Sequence, residues 1–245
     1  MPFLFICTFG YAGRLIGATL ILPESSILSD NEQRHAGVLL YAHPDQYDSH
    51  QIRLALAEKQ IAHRVITVDP ALRPEDLLDL NPYASLPTLI DRELRLYQTT
   101  VILEYLEERY PRYPLLPDHP ATRAEYRQYA WRIQQDWLSL ATTLLTHPDS
   151  LDIAAARQAR QQLRNSLISL SPLFAKRPFF MSDQFGLCDC LLAPVLWRLP
   201  EMQIELPISL AAPLLAYCQR LFERPAFVAT LTVQQRQKRD LPRIG

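Results

Sequence analysis

Asn81-Pro82-Tyr83-Ala84-Ser85-Leu86-Pro87-Thr88-Leu89, then Tyr97-Gln98-Thr99-Thr100 and an amphipathic run closing on Glu107-Glu108-Arg109-Tyr110, is the stretch that decides the fold. A proline directly before a short apolar strand makes Leu86-Pro87 a candidate cis peptide, a geometry essentially confined to X-Pro bonds. Proline cannot donate to a ladder, so the backbone beside it is left open to something other than a neighbouring strand. The segment reads as the rim of a ligand site joined to a hairpin and a helix.

Working outward, Thr88-Leu89-Ile90 and Leu94-Arg95-Leu96 flank Asp91-Arg92-Glu93 as a tight hairpin. A helix over 99–110 follows, with Ile102, Tyr105 and Leu106 on one face. Upstream, Val38-Leu39-Leu40-Tyr41 predicts a buried strand, 49–59 a helix, 64–68 a second strand and 72–80 a short irregular helix. Alternating strand and helix imply parallel pairing. The order βαβαββα is similar to the thioredoxin-like arrangement.

Four prolines between Pro111 and Pro120 end this unit, because neither helix nor central strand persists through them. Beyond lies a helical pattern. Over 123–145, Tyr126, Tyr129, Ala130, Ile133, Trp137, Leu140, Ala141 and Leu144 recur at threes and fours. Residues 154–168 repeat the idea, and 187–199 is apolar nearly all round, as a central bundle helix should be, with Pro194 expected to bend it. Leu214, Tyr217, Cys218 and Leu221 mark another helix face, and Pro225 suits the first turn of a short one. The basic tail over 234–243 reads as a solvated end. The expected class is α+β/α: a thioredoxin-like domain over 37–116, then an all-α bundle over 121–241, with 1–36 a non-conforming extension.

With 245 residues, 48% of them hydrophobic, and a formal net charge of -1, the chain can form real cores but offers no broad basic surface for phosphates. Direct nucleic-acid binding is not expected. Cys7, Cys188, Cys190 and Cys218 include no C-x-x-C spacing, so buried free thiols in a reducing cytoplasm are expected, with no metal or cofactor. In the extension, Arg14 interrupts the apolar run of residues 3–22 and no Lys or Arg precedes it, which argues against a leader or an anchor.

The ordered series Tyr47-Asp48-Ser49-His50-Gln51-Ile52-Arg53, Asp79-Leu80-Asn81-Pro82, Ser85-Leu86-Pro87-Thr88-Leu89-Ile90-Asp91-Arg92-Glu93-Leu94, Ile133-Gln134-Gln135-Asp136-Trp137 and Leu192-Ala193-Pro194-Val195-Leu196-Trp197-Arg198-Leu199-Pro200 resembles the glutathione S-transferase fold. More closely, it resembles the stringent starvation protein A family of RNA polymerase-associated transcription regulators. The resemblance spans residues 38–241.

In transferases of this fold a hydroxyl or thiol at the end of the first strand activates the substrate sulfur. The resemblance puts this position near Gln46, and glutamine is no nucleophile. Tyr47 and Ser49 stand nearby, and Ser49 also suits a helix N-cap. Where glutathione-binding relatives carry an acidic residue and a serine, this chain has Gln98-Thr99, so an ammonium partner is missing and Thr99 reads as a plain cap. Leu86, Gln98 and Thr99 would be the residual glutathione contacts, and Pro87 and Asp189 structural, the latter in Gly186-Leu187-Cys188-Asp189.

The resemblance then moves the functional surface to the proline-rich stretch, with Pro111, Arg112, Tyr113, Pro114, Pro117 and His119 as partner-binding residues. Arg beside an aromatic ring on a stiff proline frame has the composition of an interface hot spot. The implied function is a non-enzymatic, cytoplasmic homodimer contacting RNA polymerase holoenzyme and its sigma factor under starvation or stress. A glutathione-dependent transferase or peroxidase using Tyr47 or Ser49 is the alternative.

Overall fold

The computed structural model describes residues 37–68, 75–146 and 152–240. The extension over 1–36, Cys7 included, and the start of the helix expected from Leu72 lie outside the described residues.

Strand β1 (Val38–Ala42) is buried throughout. The two-residue period of a strand divides its side chains between two cores. Val38, Leu40 and Ala42 join the large core shared with the helices. Leu39 and Tyr41 pack on the other face with Val68, Leu77, Leu80 and Ile90. Coverage on both faces is why this strand is a continuous apolar run rather than an alternating one.

Helix α1 (Tyr47–Glu58) carries the chain to β2 (His63–Thr67), which pairs parallel to β1 with Val38 opposite His63. After α2 (Glu75–Leu80), β3 (Thr88–Asp91) runs antiparallel to β1, with Leu40 opposite Leu89. The turn through Arg92 and Glu93 leads into β4 (Leu94–Tyr97), and Arg92 takes the positive φ, 58°, that a two-residue hairpin loop asks of its first position. The sheet order is β2-β1-β3-β4, and α3 (Thr99–Arg109) closes the unit.

The helix expected over 123–145 runs as α4 (Pro120–Ile133), a π-helical turn (Gln134–Leu138) and α5 (Ser139–Thr146). The adjacent Trp137 and Leu138 are both buried in this wider turn. Then come α6 (Ile153–Leu170), α7 (Leu187–Trp197), α8 (Ile208–Phe222) and α9 (Pro225–Thr230). Every residue of α7 from Leu187 to Leu196 is buried, as its unbroken apolar sequence requires. The tail departs from the sequence reading: Val233–Asp240 forms α10, and Gln235 is buried. Thr232 and Gln235 cap the helix start reciprocally, each backbone N–H donating to the other's side chain at 3.1 and 3.2 Å. This Thr-x-x-Gln signal is legible in sequence.

The helical half packs on the sheet half through α1 and α7, where Gln51 Nε2 donates to Leu191 O at 2.8 Å. Arg224 grips Glu58 with two hydrogen bonds of 2.6 Å. No helix among the described residues is long and apolar enough to cross a membrane.

Candidate functional site

Between the two halves lies a cavity of about 550 Å³, walled by the segment after β1, by Ser85 and Leu86, by Thr142 of α5 and by Arg198 and Glu201 beyond α7. Gln46 is exposed on this wall and precedes α1 without capping it through its side chain. Ser49 is not the N-cap expected of it, because the helix starts earlier, at Tyr47. The buried Ser49 Oγ accepts the His43 backbone N–H at 3.0 Å and fixes the loop after β1. Tyr47 does line the cavity. Thr142 Oγ1 donates to Leu138 O at 2.8 Å, so the 2.6 Å contact with Tyr47 has the tyrosine as donor. Burial raises the Tyr47 phenol above its ordinary range, against the Thr142 bond and Arg198, which pull it down. That direction is opposite to what activation of a thiol needs.

The turn at the rim is held from inside by Asn81, a fully buried side chain. Its Nδ2 donates to Ser85 O at 3.0 Å and Thr88 Oγ1 at 3.0 Å, and its Oδ1 accepts from Tyr83 N at 2.9 Å. The Leu86-Pro87 bond is cis, and Leu86 lines the cavity. Gln98 and Thr99 are not on the cavity wall. Thr99 is the first residue of α3 rather than its cap; Gln98 takes the cap position at φ 79°, and its side chain makes no capping bond. The register that pairs Thr88 with Tyr97 nonetheless brings Gln98 across from Pro87, beside Leu86.

Asp48 and Arg198 are cavity residues that sequence reasoning did not single out. Burial pushes the Asp48 carboxyl up to about 6, while the Ser49 N–H and the positive charges of Arg198 and Arg53 pull it down. Arg198 is 3% exposed and donates to Asp45 O and Pro194 O. Their positions gave no cue, since a buried charge looks like a surface charge in sequence until its neighbours are known.

Asp189 lies at the heart of the helical half. It accepts from Gly186 N at 2.8 Å, Phe180 N at 2.9 Å and Tyr217 OH at 2.6 Å. One carboxylate therefore fastens the start of α7, the preceding loop and α8. Burial raises its carboxyl to about 6 despite these three donors.

The proline-rich segment is a braced projection. Pro111, Arg112, Tyr113, Pro114 and His119 are exposed and Pro117 half-buried, whereas Leu115 and Leu116 are buried. Below it, Lys59 Nζ and Glu107 Oε2 form a 2.7 Å ion pair shielded from solvent. Glu107 also accepts the backbone N–H groups of Leu115 and Leu116, at 3.1 Å each. Lys59 donates to Tyr113 O at 3.2 Å. Tyr113 stands at φ 57°, a left-handed conformation that costs a side chain about 1–2 kcal/mol. Tyr113 is 39% exposed, with the Arg112 guanidinium 5.0 Å from its ring centroid. The interior packing open to Tyr113 in an ordinary linker is not what this tyrosine adopts. Tyr105 and Tyr110 donate to Asp91 at 2.8 and 2.7 Å, tying the end of α3 to the sheet.

Residues 49–109 match the family model described as glutathione S-transferase, N-terminal domain, and residues 136–225 the one described as glutathione S-transferase, C-terminal domain. The stringent starvation protein A homolog of Pasteurella multocida is 41% identical over 75% of this chain and 85% of its own. That of Coxiella burnetii is 39% identical over 82% of this chain and 95% of its own. Among solved structures, Ure2p in complex with S-hexylglutathione superposes with a TM-score of 0.71 at 19% identity, over 80% of this chain and 98% of that one. The tau class glutathione S-transferase of mango, Mangifera indica, gives 0.69 at 20%, over 82% and 94%. At such identities the structural likeness speaks for the fold.

Proposed function

We propose, from the premise that this chain belongs to the stringent starvation protein A family, that it regulates transcription by binding RNA polymerase holoenzyme and its sigma factor, without catalysis. The observation that carries this reading is the braced projection. A buried ion pair fixes Tyr113 and its neighbours, so Pro111, Arg112, Pro114, Pro117 and His119 offer a stiff surface with little entropy to lose on docking. Domain limits of 37–116 and 121–241 belong to the same reading, since the projection then lies at the junction.

A cytoplasmic homodimer fits this role. Val101 on α3 and Trp131 on α4 are 50% and 60% exposed, beside the Glu104–Arg127 ion pair that links the two helices. Large apolar side chains left on adjoining helices suit a second copy of the chain.

The enzymatic alternative rests on Tyr47, whose hydroxyl is engaged by Thr142, and on Ser49, which is buried. Both are read here as structural, and Leu86, Gln98 and Thr99 as remnants of a glutathione contact set. Affinity capture from cell extract tests the proposal. Wild-type protein should recover polymerase subunits, and Arg112→Ala with Tyr113→Ala should lose them while remaining folded. Wild-type protein that recovers none sinks the regulator reading, and undiminished recovery by the double variant removes the surface.

A further inference from the structure

We propose that a cleft between α8 and the turn after α6 docks an acidic segment of a partner protein, its carboxylates on Lys176 and Arg220 and one apolar side chain against Pro213 and Ala216. The cleft holds about 400 Å³ and forms where the 3₁₀ turn (Ser171–Ala175) and the residues just after it face α8. It is separate from the interdomain cavity, with which it shares no lining residue.

Its walls are pinned to one another at two points. Ser171 Oγ accepts the Leu214 N–H at 3.3 Å, and Arg220 Nε donates to Pro178 O at 2.8 Å. The floor is fixed from beneath, because the Phe174 ring packs on Tyr217 with centroids 4.6 Å apart and Tyr217 is held by Asp189. Pro178 and Pro213, one on each wall, have φ locked by their rings. A cleft already formed before its occupant arrives loses little entropy on docking.

Three cations and no carboxylate line this cleft, in a chain whose formal net charge is -1. Arg177 is paired with Asp183 on the surface. The Lys176 side chain has no hydrogen bond or ion pair among the described residues. Arg220 spends only Nε, and its two terminal nitrogens have no acceptor among the described residues. An arginine held by one nitrogen with the others open is placed to grip a carboxylate through parallel hydrogen bonds.

How open the cleft is decides what fits it. Lys176, Arg177, Pro178, Ala216 and Arg220 are all exposed. Small-molecule sites enclose about 70–90% of their ligand, whereas a segment of a larger protein needs only one face covered. Nucleic acid is disfavoured, since gripping phosphates takes a tract of cations and here three are gathered beside apolar surface. The reading is independent of the polymerase surface, and either can fail alone.

Fluorescence anisotropy on the full chain tests it, with a fluorescein-labelled pentapeptide in which one phenylalanine stands between two pairs of glutamates. The peptide should bind saturably, and more weakly as salt rises. Its counterpart with four lysines, and a labelled oligothymidylate, should each bind at least about tenfold more weakly. Lys176→Glu should weaken the acidic peptide by about tenfold and Arg220→Gln by about fivefold. Alanine in place of the peptide's phenylalanine should weaken it by about threefold. If Arg220→Gln fails to fold, Lys176→Glu decides, since the Lys176 side chain has no partner among the described residues to lose. Absence of saturable binding, a lysine peptide or oligothymidylate that binds as tightly, variants that bind as wild type does, or an alanine peptide of undiminished affinity would each overturn the proposal.

Discussion

The cavity and the proline-rich projection both depend on buried charge, and they use it in opposite ways. In the projection, Lys59 and Glu107 neutralise one another at 2.7 Å and turn their remaining capacity to the backbone of Tyr113, Leu115 and Leu116. In the cavity, burial raises the Asp48 carboxyl to about 6 even though the Ser49 N–H and the charges of Arg198 and Arg53 act against it. A satisfied buried pair makes a rigid surface. A carboxylate whose burial outweighs its partners holds its proton instead.

The sharpest way to break the contrast is Glu107→Ala. It strands the Lys59 ammonium and leaves the Leu115 and Leu116 amides without their acceptor. Removing one member of a buried pair costs about 3–5 kcal/mol, so urea unfolding should shift by that much. Polymerase capture should fall with it. A change below about 1 kcal/mol would mean that surface-like energetics apply and that the projection is not braced from inside.

Asp189 gives the next largest effect and a pH signature. Its folded pKa, about 6, lies above the ordinary carboxyl value of 3.8. The folded state therefore holds the proton more tightly than the unfolded chain does. This contribution is fully present below about pH 4 and is lost as pH rises through about 6; two pK units correspond to roughly 2–3 kcal/mol. Asp189→Asn cannot titrate. The stability difference, wild type minus variant, should shrink between pH 4 and 6 and then level off, as followed by denaturant titration at each pH. A difference that widens over that window would show the three donors outweighing burial.

A smaller effect belongs to Tyr47→Phe, which removes the hydroxyl bridging α1 to Thr142 of α5. One such bond contributes about 1 kcal/mol. Thermal unfolding should detect it, and capture of polymerase should be unchanged, because the cavity and the projection are separate surfaces. Loss of capture would couple them.

What was legible in sequence follows from how each feature is encoded. The βαβαββα order and the helical half rest on period and punctuation, which are local, and Val38–Ala42 and Leu187–Trp197 fall where their apolar runs indicate. The π-helical turn at Gln134–Leu138 escaped because it leaves a spacing of threes and fours almost intact. Ser49 and Thr99 both suit a cap by residue type, yet their helices start at Tyr47 and at Thr99 itself, a matter of where the chain enters rather than of propensity. The bracing beneath the projection was hidden for a different reason. Lys59 and Glu107 are 48 residues apart, and only the packing of α1 against α3 brings them together.

The finest test concerns Tyr113, whose φ of 57° is held while its carbonyl accepts from Lys59. Alanine and glycine both delete the ring, but only glycine adopts this conformation without penalty. Tyr113→Gly should therefore be more stable than Tyr113→Ala by about 1 kcal/mol in chemical denaturation, and both should lose polymerase capture to the same degree. Equal stabilities would mean that the loop relaxes once the ring is gone, so that the ring itself holds the backbone. Retained capture by the glycine variant would move the contact away from Tyr113 to Arg112 and the prolines. The expected result separates the two parts of the design: the ion pair sets the backbone, and the ring on it meets the partner.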